Sequence, residues 1–220
     1  NMKKTIFLFA LLFSLSLFSQ EKTQSDKMLA EIQLMRQSAT NLKLVWWIPT
    51  EYWGIAMREH EAVTADQIEY IENLLDNYTI IAAGDYSLLP QNNTIEFKVI
   101  DIKKGVEFYN SDHKKISALK NSQIQKEVVI IINDMMKPLF GQMLGKMGTG
   151  IEFFIYNNKD MAGNRILDPN KPGSFKIEVN KETFQFSLPL VSLMKEKECS
   201  VDQEKFPGNY IYCPIHGNKL

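Results

Sequence analysis

Near the end of this chain two thiols, a carboxylate and an imidazole fall into two short runs. The first is Cys199-Ser200-Val201-Asp202; the second, ten residues on, is Cys213-Pro214-Ile215-His216-Gly217. The chain has no other cysteine, so whatever chemistry a thiol does here it does with this pair. In an oxidising compartment two cysteines pair by default. A Cys199–Cys213 disulfide would close a loop of about 15 residues, which stabilises a fold by about 3 kcal/mol on the chain-entropy account and suffices to hold a small tail.

The second run resembles a zinc-ribbon knuckle, a turn of the form C-P-x-C-G that faces a like turn across a metal ion, with His216 in place of the second cysteine. The first run departs from that pattern, because Asp202 stands where a cysteine or histidine is expected. The likeness covers about 20 residues of the tail and none of the body. It implies a metal held by Cys199, Asp202, Cys213 and His216 at tetrahedral corners, and thiolate, carboxylate and imidazole are all competent toward Zn²⁺. Four protein ligands close the shell, so such a zinc is structural and leaves no position for substrate. Pro207-Gly208-Asn209 would turn the chain between the pairs, and Tyr210 to Tyr212 would form the returning strand. Disulfide, zinc and a pair of free thiols all stay open, and the first two need the same apposition of the two sulfurs.

Other residues carry fainter chemistry. Trp46, Trp47 and Trp53 are the chain's three tryptophans, gathered in one short stretch. They read either as a flat platform for a carbohydrate or other ligand, or as a core anchor where a strand crosses a helix. Glu59-His60-Glu61 sets an imidazole between carboxylates. Joined by Asp85, His60 and Glu61 would seed a hydrolase of envelope material with a dispersed acid–base site; read blandly, they are a solvated charged turn. His113 beside Asp112 is a second such polar pair. Met136, Met143 and Met147 offer thioethers that could hold Cu(I), or simple core filling. The loop Asn157–Asn164 has oxygen donors around a glycine but lacks the alternating acids and closing glutamate of an EF-hand, so it reads as a hairpin loop. No HExxH, G-x-S-x-G, P-loop or dinucleotide fingerprint occurs in the sequence.

The elements that must position these groups follow from periodicity. Apolar residues at Met28, Ile32, Met35, Ala39 and Leu42 predict a helix over 27–42. Leu44–Ile48 reads as a buried strand ended by Pro49. Thr64 with Gln67, and Ser122 with Gln125, form capping-box pairs that predict helices from 64 to about 77 and from 122 toward 146, the second kinked or divided by Pro138. Tyr78–Ala83, Thr94–Ile102 and Val106–Tyr109 read as a meander turned at Lys103-Lys104-Gly105. Ile151–Tyr156 is a further strand, and Ser174–Val179 with Thr183–Leu188 is a hairpin. The fold class is therefore α+β, an antiparallel sheet (meander plus hairpin) packed with about three helices and followed by a small C-terminal β-hairpin. No internal repeat stands out.

Asn1 precedes Met2, and Lys3, Lys4 and the apolar run Ile6–Phe18 have the layout of a secretory signal with cleavage after Ser19. The organisation read from the sequence is a signal peptide over 1–19, a flexible segment over 20–26, a globular domain over 27–195 and a two-cysteine tail over 196–220. Cleavage removes two of the 25 basic side chains and none of the 26 acidic ones, leaving the chain about three charges negative. That balance argues against a nucleic-acid partner, which needs a concentrated basic face. With 45% hydrophobic residues, the body has enough apolar surface for a large core. After cleavage no segment is apolar for long enough to span a bilayer. The expectation is a periplasmic or secreted protein with a non-catalytic binding or structural role toward an envelope or extracellular partner, its only cofactor a structural zinc or none.

Overall fold

A computed structural model of the chain describes residues 23–59, 63–91 and 94–220. The signal segment 1–19, and the His60 and Glu61 of the hydrolase reading, lie outside the described residues.

The first helix, α1 (Gln24–Ile32), starts within the stretch expected to be flexible. It opens on a reciprocal cap: the Asp26 amide donates to Thr23 Oγ1, and the Thr23 amide donates to Asp26 Oδ2. The helical spacing runs on to Leu42, but the helix stops at Ile32. Gln33–Gln37 forms β1, antiparallel to β2 (Asn41–Ile48), with Met35 opposite Leu44. The ladder to β2 satisfies these backbone groups as a helix would, so tertiary pairing overrides a local period that either structure could use.

Pro49 then starts a helix absent from the sequence expectation, α2 (Thr50–Arg58), and Thr64 caps α3 (Ala65–Leu75) with Gln67 as read. The long strand β3 (Tyr78–Gln91) organises the rest. One edge pairs with β2; along the other, its C-terminal part pairs with β4 (Thr94–Val99) and its N-terminal part with a later strand. The turn at 103–105 does not continue the meander in this sheet. It delivers β5 (Val106–Tyr109) to a second antiparallel sheet, beside the short β6 (Lys115–Ile116).

The cap expected at Ser122 is displaced: Gln123 reaches back to the Lys120 amide, and helix α4 (Lys126–Ile130) starts after Gln125. A π-helical stretch, Ile131–Met136, leads into α5 (Lys137–Leu144). Strand β7 (Glu152–Asn157) is the later partner of β3, and β8 (Gly173–Val179) with β9 (Glu182–Leu188) forms the expected hairpin, completing the second sheet in the order β6-β5-β8-β9. Asn180 and Lys181 turn it with φ of 47° and 71°, the left-handed pair that a two-residue hairpin turn requires.

The result is three layers. Trp46, Ile48, Ile80 and Ala82 pack the five-stranded sheet against Leu74, Val128, Ile132 and Phe140 of the helices. From its other face Val45, Trp47, Ile81 and Ala83 meet Phe108, Phe175, Phe184 and Phe186 of the second sheet. Strand β2 is buried on both faces, which is why Leu44–Ile48 reads as an unbroken apolar run. A small strand pair, β10 (Lys197–Glu198) with β11 (Lys205–Phe206), opens the tail. No helix among the described residues is long and apolar enough to cross a membrane.

Candidate metal centre

The tail is built from two turns with the same hydrogen bonds. In the first, the Cys199 amide donates to the Glu204 carbonyl and the Gln203 amide to the Cys199 carbonyl; in the second, the Cys213 amide donates to Asn218 and the Gly217 amide to Cys213. Glu198 pairs with Lys205 across the first turn, and Tyr212 bridges Lys219 across the second. The correspondence is a shift of 14 residues throughout, and it extends to the left-handed residue of each turn, Gln203 at φ 63° and Gly217 at φ 71°. Phe206 and its counterpart Leu220 both pack against the cysteines. Residues 197–206 and 211–220 are therefore two copies of one turn, although no repeat stands out in the sequence. The returning strand of the first turn is β11, not Tyr210–Tyr212 as expected.

Because the copies face each other, their cysteines point inward and are buried. Cys199 Sγ lies 3.5 Å and Cys213 Sγ 3.7 Å from His216 Nδ1, and these three atoms all lie within 4.8 Å of one another. The fourth residue of the resemblance arrives too: Asp202 Oδ2 is 3.6 Å from the same nitrogen. Asp202 stands in the first copy where His216 stands in the second.

One imidazole nitrogen has a single hydrogen or a single lone pair, so it cannot bond two sulfurs and a carboxylate at once. A shared cation removes the difficulty. With zinc–sulfur and zinc–nitrogen bonds of about 2.3 and 2.05 Å, tetrahedral angles set sulfur and nitrogen about 3.6 Å apart; the two distances here are 3.5 and 3.7 Å. The corresponding nitrogen-to-carboxylate edge is about 3.4 Å, against 3.6 Å observed. The group Cys199, Cys213 and His216 could thus hold a metal ion, with Asp202 at hand.

The surroundings favour thiolate at Cys213 and the neutral thiol at Cys199. Burial pushes the Cys213 thiol up, but the amides of His216 and Ile215 and the His216 ring outweigh it, and the thiol sits below its ordinary value. Burial pushes the Cys199 thiol up, and the amides of Val201 and Asp202 offset only part of that. The Asp202 carboxyl is held down chiefly by the Glu204 amide, 3.1 Å away. Sequence reasoning missed Asn218, whose Oδ1 takes the Cys199 thiol at 3.3 Å while its Nδ2 donates to Ser200. No disulfide joins the pair; both cysteines are free.

Among the described residues, the other candidates do not assemble into a second site. Trp46 and Trp47 are consecutive on a strand, so they face opposite sides of the sheet and cannot share one platform. Trp47 packs edge-on against Phe175 with centroids 4.8 Å apart, and Trp46 meets Phe140 at 4.5 Å. Trp53, on α2, lies partly buried on the Trp46 side. Asp85 is 2% exposed, and its two oxygens accept from Asn41 and Asn180, each at 2.7 Å, which ties β2 and β3 to the β8–β9 turn. Met136 is buried in the core between the sheet and the helices, Met147 packs against that core, and Met143 is largely exposed, which fits the filling role. Asp160 turns its carboxylate onto the amides of Ala162 and Asn164 inside its own loop. His113 is exposed in a turn. Comparison of the chain with known protein families, with characterised proteins and with solved structures finds no match.

Proposed function

We propose that this chain is an exported, non-catalytic binding protein whose C-terminal tail is a pair of facing knuckles locked by one structural zinc ion. The observation that carries the reading is the approach of Cys199 and Cys213 to His216 Nδ1 at sulfur–nitrogen distances that suit zinc, with the Asp202 carboxylate 3.6 Å from the same nitrogen. Two thiolates, an imidazole and a carboxylate so disposed suit a d¹⁰ ion that imposes no geometry of its own. Four protein ligands leave no position for water or substrate, so the ion holds the fold and does no chemistry.

The tail also needs such a staple. Its own core is Cys199, Phe206 and Cys213 with Leu220 packed against them, far less apolar surface than a segment of this length needs to fold alone. Both Asp85 oxygens are taken up in holding two sheets together, which supports the non-catalytic reading. The basic and apolar leader supports export. Val201, Tyr212 and Ile215 take no part in the tail's core and stay more than half exposed, the surface an envelope or extracellular partner would meet.

Metal analysis of the chain purified without chelator tests the proposal. One zinc per chain is expected, and none in a Cys199→Ser, Cys213→Ser double variant. Two free thiols without metal, or a Cys199–Cys213 disulfide, would reject it.

A further inference from the structure

A pocket of about 400 Å³ opens beside β7, within the about 300 to 1,000 Å³ of ligand-binding clefts. Four successive residues of the strand, Glu152 to Ile155, form one wall. Ile132 of the π-helical stretch and Lys137 of α5 stand across from them, and Lys103 also lines the space. The pocket belongs to the body, so nothing about it depends on metal in the tail.

The backbone of β7 says what kind of molecule fits there. The strand pairs with β3 along one edge alone. At its other edge the Leu119 amide donates to the Ile155 carbonyl at 2.7 Å, so Ile155 turns its backbone groups away from β3. These groups alternate along a strand, and Phe153, two residues earlier, turns its amide and carbonyl the same way. Asn121, two residues beyond Leu119, lines the pocket, which places it off this same edge. Among the described residues, no backbone group off the β3 ladder bonds to the Phe153 amide or carbonyl. A donor and an acceptor left open side by side on a strand edge are complementary to another extended backbone.

Charge narrows the class. Lys103 is paired with Glu152 at 3.7 Å, whereas Lys137 makes no ion pair among the described residues, so the pocket carries one positive charge in excess. An added strand must continue the alternation of the sheet. Phe153 packs toward the helical layer, so the residue that pairs with it sends its own side chain to that face, where Ile132 and Lys137 stand. We propose that the open edge of β7 takes up a short extended peptide by strand addition, the residue paired with Phe153 being a glutamate or aspartate directed at Lys137.

Titration of the purified, ¹⁵N-labelled chain with the acetylated and amidated pentapeptide Thr-Val-Glu-Val-Thr tests this. The Phe153 and Ile155 amide resonances should move saturably, and the glutamine analogue of the peptide should bind several-fold more weakly. A peptide N-methylated at its glutamate keeps the charge but loses a bond to Phe153, and should bind at least about tenfold more weakly. Lys137→Glu, at an exposed position, should turn the preference from the glutamate peptide to its lysine analogue. Full-strength binding of the N-methylated peptide would reduce the contact to an ion pair and overturn strand addition; equal binding of the glutamate and glutamine peptides would overturn the role of Lys137. Unmoved resonances overturn the whole proposal and make the two lysines guards of an open edge. Movement that follows the concentration of the chain alone, without peptide, gives the edge to a second copy and overturns it as well.

Discussion

Asp202 is the residue on which the tail's chemistry can be read most sharply, because the duplicated turn supplies its reference. His216 occupies the equivalent position, so one site offers a carboxylate and an imidazole in matched geometry. Asp202→Asn keeps the shape and the Glu204 amide contact but loses the charge, and zinc affinity should fall at least about tenfold. Asp202→His supplies the ligand that the second turn already uses and should restore affinity or exceed it. Competition against a chromophoric chelator measures both; an unchanged Asp202→Asn would place water at the fourth corner instead. The grouping of Cys199, Cys213 and His216 was legible in the sequence because cysteine and histidine are rare enough here for their spacing to stand out. The duplication was not, because the two copies share only the cysteine and one lysine, Lys205 and Lys219. What the turns conserve is backbone hydrogen bonding and one left-handed residue, and Gln203 gives no hint that it does the work of Gly217. The partners of Asp85 were not legible, because Asn41 and Asn180 are remote from it in sequence.

Among the elements, the helix through Pro138 makes the clearest test. Proline inside a helix costs about 3 kcal/mol or more through a lost bond and a ring clash, which is why the sequence predicts a kink or a break. The π-helical stretch just before it changes that balance. The Lys137 amide reaches back five residues to the Ile132 carbonyl, and Pro138 falls in the first turn of α5, where a missing N–H is tolerated. Pro138→Ala should therefore leave stability within about 0.5 kcal/mol in urea denaturation. A gain of about 3 kcal/mol would show that the proline is strained after all. Strands whose sequence patterns matched their burial were legible for a related reason. The β8–β9 hairpin buries one face and alternates, and β2 buries both faces over Leu44–Ile48 and runs apolar there. Strand β1 was hidden because Met28, Ile32 and Met35 keep helical spacing up to the point where a partner strand takes over. The step of β5 into the second sheet was hidden because a tight turn is compatible with either sheet, and only the packing of Phe108 on Tyr156 and Phe175 decides.

At the scale of the molecule, the tail and the body hold together by different means, and this sets what metal removal does. The body has two large apolar cores that share one sheet, so burial on both faces of β2 and β3 couples the helical layer to the second sheet. The tail's core of Cys199, Phe206 and Cys213 has no member in common with either. What joins the two at the surface is modest: an exposed Lys27–Glu196 ion pair at 3.2 Å and the close approach of Gly208 to Met194 and Lys195. Exposed pairs of that kind contribute about 0 to 1 kcal/mol. If the tail holds zinc as proposed, its loss leaves the two turns joined mainly by the Asn218 contacts to Cys199 and Ser200 and a small apolar core, whereas the body loses almost nothing. The double Cys199→Ser, Cys213→Ser variant should therefore be cut by protease within residues 196–220 while the rest resists, and the body's cooperative unfolding should stay within about 1 kcal/mol of the parent. Wild-type chain treated with a strong chelator should behave in the same way, and re-addition of zinc should restore protection of the tail but not change the body. If the body's transition instead falls with the tail's, the two form one cooperative unit, and the ion stabilises the whole fold through contacts stronger than a surface ion pair and one tight glycine.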